Sequence, residues 1–318
     1  MKIVIVSLNA LGDTYLSAAA LAPLKKHFET AEFEFIVQKH SASLVSALGV
    51  EKFFCLEKKN IANILRLLFV VRRRRYEMAF SFFPGLLNTL FLLASCSPVK
   101  AGYLSFFRRR DWYDESQRVF VHGVPREKLF WRPTMSYLER IEMVLRAFNL
   151  NEKVQKPRVA VAGSERRKVG NFAVVHLISK MCEKSFSADA IYKVCRYLAR
   201  ETSLKVFLIG RSEEFGDSLQ GLNQFVEPVF DAPIHVLAQL ITGSSIFIGV
   251  DSFPLHIADA MEMKVLGIFG PTNPVSALSH PHGSVRFMKQ SLQDVTGEEV
   301  IDSIRPYLKA YELHHTGI

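Results

Sequence analysis

The sequence predicts an α/β chain folded as two doubly wound parallel-sheet domains that face each other across a cleft. Three observations carry that expectation. Short β-branched runs alternate with stretches of helical periodicity along the whole chain. The alternation stops at a polar connection and then starts again, which marks two halves rather than one long sheet. The chain has 318 residues, 49% of them apolar, enough for two domains of about 150 residues, each with its own core.

The elements follow in order. Lys2–Ser7 is a β-branched strand, residues 8–13 a loop, and 14–28 a helical stretch. Glu32–Gln38 is the next strand, 41–48 a helix, Lys52–Leu56 a strand, and 61–75 a basic helix with apolar residues at helical spacing. Residues 78–99 carry no charge, which raises the question of a membrane span. Pro84-Gly85 breaks that run, so 77–83 is expected as a buried strand and 86–95 as an apolar helix packed in the core. If that helix were exposed beside the arginines, it would form a membrane-surface patch. Residues 135–148 form an amphipathic helix, and the irregular stretch 151–170, with Pro157 and the charged run 165–168, connects the domains. The expected domains are therefore 1–155 and 156–318.

The second half repeats the grammar with a strand at 172–177, a helix at 188–202, a strand at Lys205–Gly210 and a helix at 234–244. Ile246–Val250 is a strand ending at Asp251, 254–261 a helix, Val265–Phe269 a strand, and 298–311 a C-terminal helix, a candidate to pack back on the first domain. In such sheets ligands bind beyond the carboxyl ends of the strands. The loops at 8–13, 176–186, 210–215, 250–254 and 269–274 are thus the places to look.

Charge is unevenly distributed. Residues 1–155 hold 23 Lys and Arg against 14 Asp and Glu, whereas 156–318 hold 17 of each, so the net +9 lies entirely in the first half. Much of it sits in Arg72-Arg73-Arg74-Arg75 and Arg108-Arg109-Arg110. One such block is ordinary solvated surface; two in one half point to an anionic partner, such as a phospholipid surface, a phosphorylated glycolipid or a nucleic acid. No nucleic-acid-binding motif accompanies them. Cys55, Cys96, Cys182 and Cys195 are scattered without a CxxC pair, which argues against a disulfide framework and a zinc site. The N-terminal apolar run stops at Asp13, too short for a secretory signal, so a cytoplasmic protein is expected.

Motifs in those loops carry the chemistry. Gly12-Asp13 stands between a strand and a helix; Asp13 reads either as a helix cap or as a general base for an acceptor hydroxyl. In Asp251-Ser252-Phe253-Pro254-Leu255-His256 a strand turns into a helix with Pro254 at its first position, and Ser252, the first amides and the helix dipole suit a diphosphate. Alternatively, Asp251 and Ser252 simply cap that helix above a core histidine. Gly270-Pro271-Thr272 opens a rigid turn. Lys184 suits a phosphate and Glu213 or Glu214 a ribose hydroxyl, though each residue type is more often plain surface.

Taken together, the order and separation of these motifs resemble glycosyltransferase family 9, the heptosyltransferase-like enzymes, over residues 2–308 and most strongly at Gly12-Asp13 and 249–274. The resemblance implies a GT-B fold of two Rossmann-like domains, an N-terminal acceptor-binding one and a C-terminal donor-binding one. It also implies an inverting, metal-independent transferase with no cofactor, moving heptose from ADP-heptose onto a lipopolysaccharide-core or related anionic lipid-linked acceptor at the cytoplasmic face of the inner membrane. By that resemblance Asp13 is the catalytic base, Lys184 binds phosphate, Glu213 or Glu214 lies near the nucleoside, and Asp251, Ser252, Phe253 and His256 form the donor turn. Phe253 stands where the family pattern usually has glycine. The arginine blocks would meet acceptor or membrane. The other class of reading is a catalytically degenerate scaffold that binds nucleic acid or membrane through its basic half. A dinucleotide oxidoreductase is disfavoured, because neither half has GxGxxG after its first strand.

Overall fold

The computed structural model describes residues 1–103, 119–121, 135–161, 170–215, 221–280 and 283–315, with the main chain alone at 119–121 and beyond 309. Arg108, Arg109, Arg110 and the charged run 165–168 lie outside the described residues. The chain divides into two compact units, Met1–Arg158 and Val159–Ile318.

The first unit is built on a six-stranded sheet. Its strands are β1 (Lys2–Ser7), β2 (Glu32–Gln38), β3 (Lys52–Leu56), β4 (Met78–Ser81), β5 (Val99–Tyr103) and β6 (Val119–Val121), in the order β3-β2-β1-β4-β5-β6. The pairings are parallel except for the last, β5 with β6. A strand covered on both faces must be apolar throughout, and Ile3, Val4, Ile5 and Val6 are fully buried. The chain runs β1, β2, β3 to one side and then returns to β4 on the other side of β1. That reversal opens a crevice beyond the carboxyl ends of β1 and β4.

The second unit repeats the plan with β7 (Phe172–His176), β8 (Lys205–Gly210), β9 (Glu227–Phe230), β10 (Ile246–Val250), β11 (Val265–Phe269) and β12 (Gly283–Arg286), in the order β12-β11-β10-β7-β8-β9 and parallel throughout. Here the reversal lies between β7 and β10. Helix Ala188–Glu201 packs on one face, burying Ala190, Ile191, Val194, Cys195 and Leu198. The long helix Gly297–His315 lies against it, with Val300, Ile304 and Leu308 in the core of its own unit.

Several boundaries differ from the sequence expectation for identifiable reasons. The loop after β1 is shorter: a helix begins at Leu11, so Gly12 and Asp13 are in its first turn rather than in a loop. That helix ends at Ser17, tightens through a 3-10 turn at Ala18–Ala20 and resumes as Leu21–His27, where a single helix over 14–28 was expected. Pro254 is not the first helical residue either, since the helix is Phe253–Ala260. Strands β5, β9 and β12 had no clear signal. Pro228 interrupts the apolar run in β9, an edge strand whose first two residues are exposed. In β5 Gly102 lets the backbone approach its neighbour, because a Cβ there would collide with the Ser81 carbonyl.

Candidate functional site

At the switch point of the second unit, the loops after β7 and β10 bring their charged residues together. Lys184, in a 3-10 turn at Cys182–Lys184, donates from Nζ to Asp251 Oδ2 at 2.6 Å. Both side chains are nearly shielded from solvent. His256 Nε2 lies 3.8 Å from the other carboxylate oxygen. The loop that delivers Lys184 is held by its own serines: Ser185 Oγ accepts from the Ser179 amide at 2.8 Å and donates toward Ser179 O. Gln293 adds a brace from the far end of the unit, donating from Nε2 to Ser185 O and Phe186 O at 2.9 and 3.2 Å.

Burial on its own would raise the Asp251 carboxyl. The adjacent Lys184 and His256, with the Thr272 hydroxyl, outweigh it and hold the group at about 2. Asp251 is therefore ionised at neutral pH. Thr272 Oγ1 is buried. It arrives on the turn Gly270-Pro271-Thr272 that follows β11.

Ser252 is the N-cap residue of helix Phe253–Ala260 by position, but its side chain makes no capping bond. Its hydroxyl donates to Val250 O at 3.1 Å and lies 2.8 Å from His176 Nδ1 at the end of β7. Burial lowers the His176 pKa to about 4, Glu214 opposing and Arg211 assisting, so the ring is neutral at pH 7. His256 is buried as expected of a core histidine, but it faces the Asp251 carboxylate. Phe253 occupies the first helical position, half-buried.

The two glutamates after β8 separate. Glu214 accepts from the Arg211 amide at 3.0 Å and from the Arg211 guanidinium at 3.0 and 2.8 Å, close enough to His176 to influence its titration. Glu213 is exposed and pairs with the same guanidinium through its Nη1, at 2.6 Å.

The first unit positions Asp13 at its own switch point. The helix N-cap is Ala10, which makes no side-chain cap, so Asp13 is the third residue of the helix rather than its cap. Its carboxylate belongs to the first turn, where the helix dipole favours negative charge. Gly12 is helical, and among the described glycines only Gly49 and Gly221 have positive φ. The loop leading to it is pinned by two polar residues that sequence reasoning missed. Asn88 Oδ1 accepts from the Leu8 amide at 2.7 Å, and Gln38 Nε2 donates to Asn9 O at 2.9 Å. Asn9 returns the constraint by donating to Pro84 O at 3.0 Å. The available signal was a single Asn inside the uncharged apolar helix 86–95 and a Gln ending a buried strand.

The arginine block divides as well. Arg74 turns inward to the fully buried Glu34 of β2, where Tyr76 Oη also donates at 2.5 Å. Arg72, Arg73 and Arg75 are exposed. Among the described residues, no group of three or more His, Cys, Asp or Glu stands together in a way that could hold a metal ion.

Comparison with known proteins agrees with this fold. The model of glycosyltransferase family 9 (heptosyltransferase) matches residues 64–288, a span that includes Lys184, Asp251 and His256. Lipopolysaccharide heptosyltransferase 1 of Campylobacter coli is 24% identical over 299 residues, covering 86% of this chain and 84% of that protein. The structure of E. coli ADP-heptose lps heptosyltransferase II superposes with a TM-score of 0.68 at 17% identity, covering 98% of this chain and all of that one. E. coli heptosyltransferase WaaC with ADP-2-deoxy-2-fluoro heptose gives 0.67 at 16% identity, over 96% of this chain and 100% of that one. The fold is GT-B. With its two doubly wound units and a family match over most of its length, the chain belongs to glycosyltransferase family 9, the heptosyltransferase family, and is a glycosyltransferase.

Proposed function

We propose that the protein transfers heptose from ADP-heptose to a lipopolysaccharide-core or related anionic lipid-linked acceptor, inverting the anomeric carbon in one displacement. The observation that carries this reading is the buried Lys184–Asp251–His256 cluster at the amino end of helix Phe253–Ala260. Burying an ion pair costs desolvation energy that apolar packing would not, so such a cluster at a switch point is a functional-site signal. The names of the relatives support heptose as the sugar and a lipopolysaccharide as the acceptor, and the ADP-sugar in one structural neighbour supports ADP.

In the second unit the helix dipole and Lys184 receive the diphosphate, with Asp251 holding the ammonium in position. The acceptor oxygen attacks the anomeric carbon as the sugar–phosphate bond breaks and ADP leaves with the bonding pair. Negative charge grows on the diphosphate, where Lys184 and the helix terminus stabilise it without a metal ion. In the first unit Asp13 takes the acceptor proton. Glu214, held by Arg211, stands on the β8 loop where a nucleoside hydroxyl would find an acceptor. No protein cofactor enters this scheme, and the cytoplasmic side of the inner membrane is the compartment it assigns.

A transfer assay with ADP-heptose and heptose-deficient core acceptor tests the base. Asp13→Ala should lower turnover by at least about a hundredfold while ADP binding persists. Turnover retained in that variant would remove Asp13 from the role.

A further inference from the structure

Two helices cover one face of the first sheet, and their outer surfaces are unusual for solvent. Ile61–Arg73 and Leu86–Ala94 pack against each other, and both bury residues in the same core, Leu67 and Val71 from the first, Phe91 and Leu92 from the second. The opposite side of the first helix presents Ile61, Leu65 and Phe69, which are 77%, 61% and 56% exposed. The second presents Leu86, Leu90 and Leu93, at 61%, 40% and 44%. These spacings of four, four, four and three residues put each set on a single stripe of its helix. The expectation that 86–95 is a core helix thus holds for its inner face, which buries Asn88, Thr89, Phe91 and Leu92, and fails for its outer one.

Charge accompanies the apolar stripes with one sign. Residues 58–76 contain seven basic residues and no acidic one, and 78–99 contain no charge at all. Arg74 is engaged with Glu34, which leaves Arg66, Arg72, Arg73 and Arg75 as exposed arginines of this segment. By helical position Arg72 falls beside the Leu65 stripe at its carboxyl end. The Arg73 guanidinium lies 4.0 Å from the centre of the Phe69 ring, so the aromatic is bordered directly by a cation.

We propose that the outer faces of these two helices form a docking surface for an anionic phospholipid bilayer, the leucines and Phe69 entering the acyl boundary while the arginines meet lipid phosphates. A nucleic acid would satisfy the arginines but leave six large apolar side chains in water. A bilayer rich in anionic headgroups satisfies both sets together. Among the described residues no helix is long and apolar enough to cross a membrane, so the contact is with the surface. This surface belongs to the first unit and the donor cluster to the second, so loss of vesicle binding with nucleotide binding intact would separate this proposal from the proposed function.

Co-sedimentation of the full chain with lipid vesicles tests it. The protein should bind vesicles containing phosphatidylglycerol and bind phosphatidylcholine vesicles weakly. Leu65→Ser combined with Leu90→Ser should reduce partitioning by about tenfold or more. Arg72→Gln with Arg73→Gln should weaken binding to the anionic vesicles and reduce its sensitivity to salt. Thermal unfolding identifies a variant that has lost its fold, and Ile61→Ser with Leu86→Ser then takes its place. Absence of wild-type binding to anionic vesicles, or serine variants that bind like wild type, would overturn the proposal. So would light scattering that shows a dimer dissociated by Leu65→Ser and Leu90→Ser, which would assign the face to a second copy of the chain.

Discussion

Asp251 is surrounded by a lysine and a threonine from two other loops and by a histidine one turn into the helix it precedes, and only the histidine's proximity is visible in the sequence. What the sequence does show is residue type at a strand end: a carboxylate and a serine before a helix, and a lysine somewhere after β7. That Lys184 reaches Asp251 depends on the loop braces at Ser179, Ser185 and Gln293, which are ordinary polar residues in the sequence. His176 is the clearest example of a residue whose role needed the fold. It ends an apolar strand, and its contact with Ser252 spans 76 positions. Its pKa of about 4 lies below that of an exposed histidine, so the unfolded chain takes up this proton first as pH falls. The stability it contributes is present above pH ~6.5 and is lost as pH drops toward 4, amounting to about 3 kcal/mol. Urea unfolding of wild type and His176→Asn across that range should give a shallower pH slope for the variant. Equal slopes would contradict the assignment of His176 as a buried neutral ring.

At the scale of elements, the central strands were legible because burial on both faces demands uninterrupted apolar, β-branched residues. Lys2–Ser7, Ile246–Val250 and Val265–Phe269 have the bounds their composition predicts. Strands β9 and β12 face solvent along one side and need no such run, so Glu227–Phe230 and Gly283–Arg286 carry little pattern. Helix Ile61–Arg73 illustrates a different blind spot. Its terminal arginine block reads as uniform charge, yet Arg74 crosses to β2 to satisfy a carboxylate that has no solvent access. This ties the helix end to the sheet, and Tyr76 shares the same acceptor. Removing one partner of a buried pair leaves the other charge unpaired, so Arg74→Ala should destabilise the protein by about 3–5 kcal/mol, whereas exposed Arg72→Ala should change little. The denaturation midpoints of the two variants separate these outcomes. Similar midpoints would mean that Glu34 is satisfied by another partner once Arg74 is gone.

For the molecule as a whole, two units share one strand order, and in each the candidate chemistry lies at the point where that order reverses. This explains why the sequence singles out these loops: topology directs binding to strand carboxyl ends, and the loops there carry the carboxylates, lysine and glycines. Charge follows the same division, with the whole excess in residues 1–155 and none in 156–318. A basic first unit suits an anionic acceptor and a lipid surface, and a neutral second unit suits a site that supplies its few charges locally. The donor site is the central claim. Calorimetric titration of the purified protein with ADP, UDP, GDP and NADH at moderate salt tests it most directly, with Lys184→Ala and Phe253→Gly measured alongside. ADP should bind in preference to the others, and Lys184→Ala should weaken it. Absence of ADP binding by both wild type and Phe253→Gly would contradict a donor site at the Lys184–Asp251–His256 cluster.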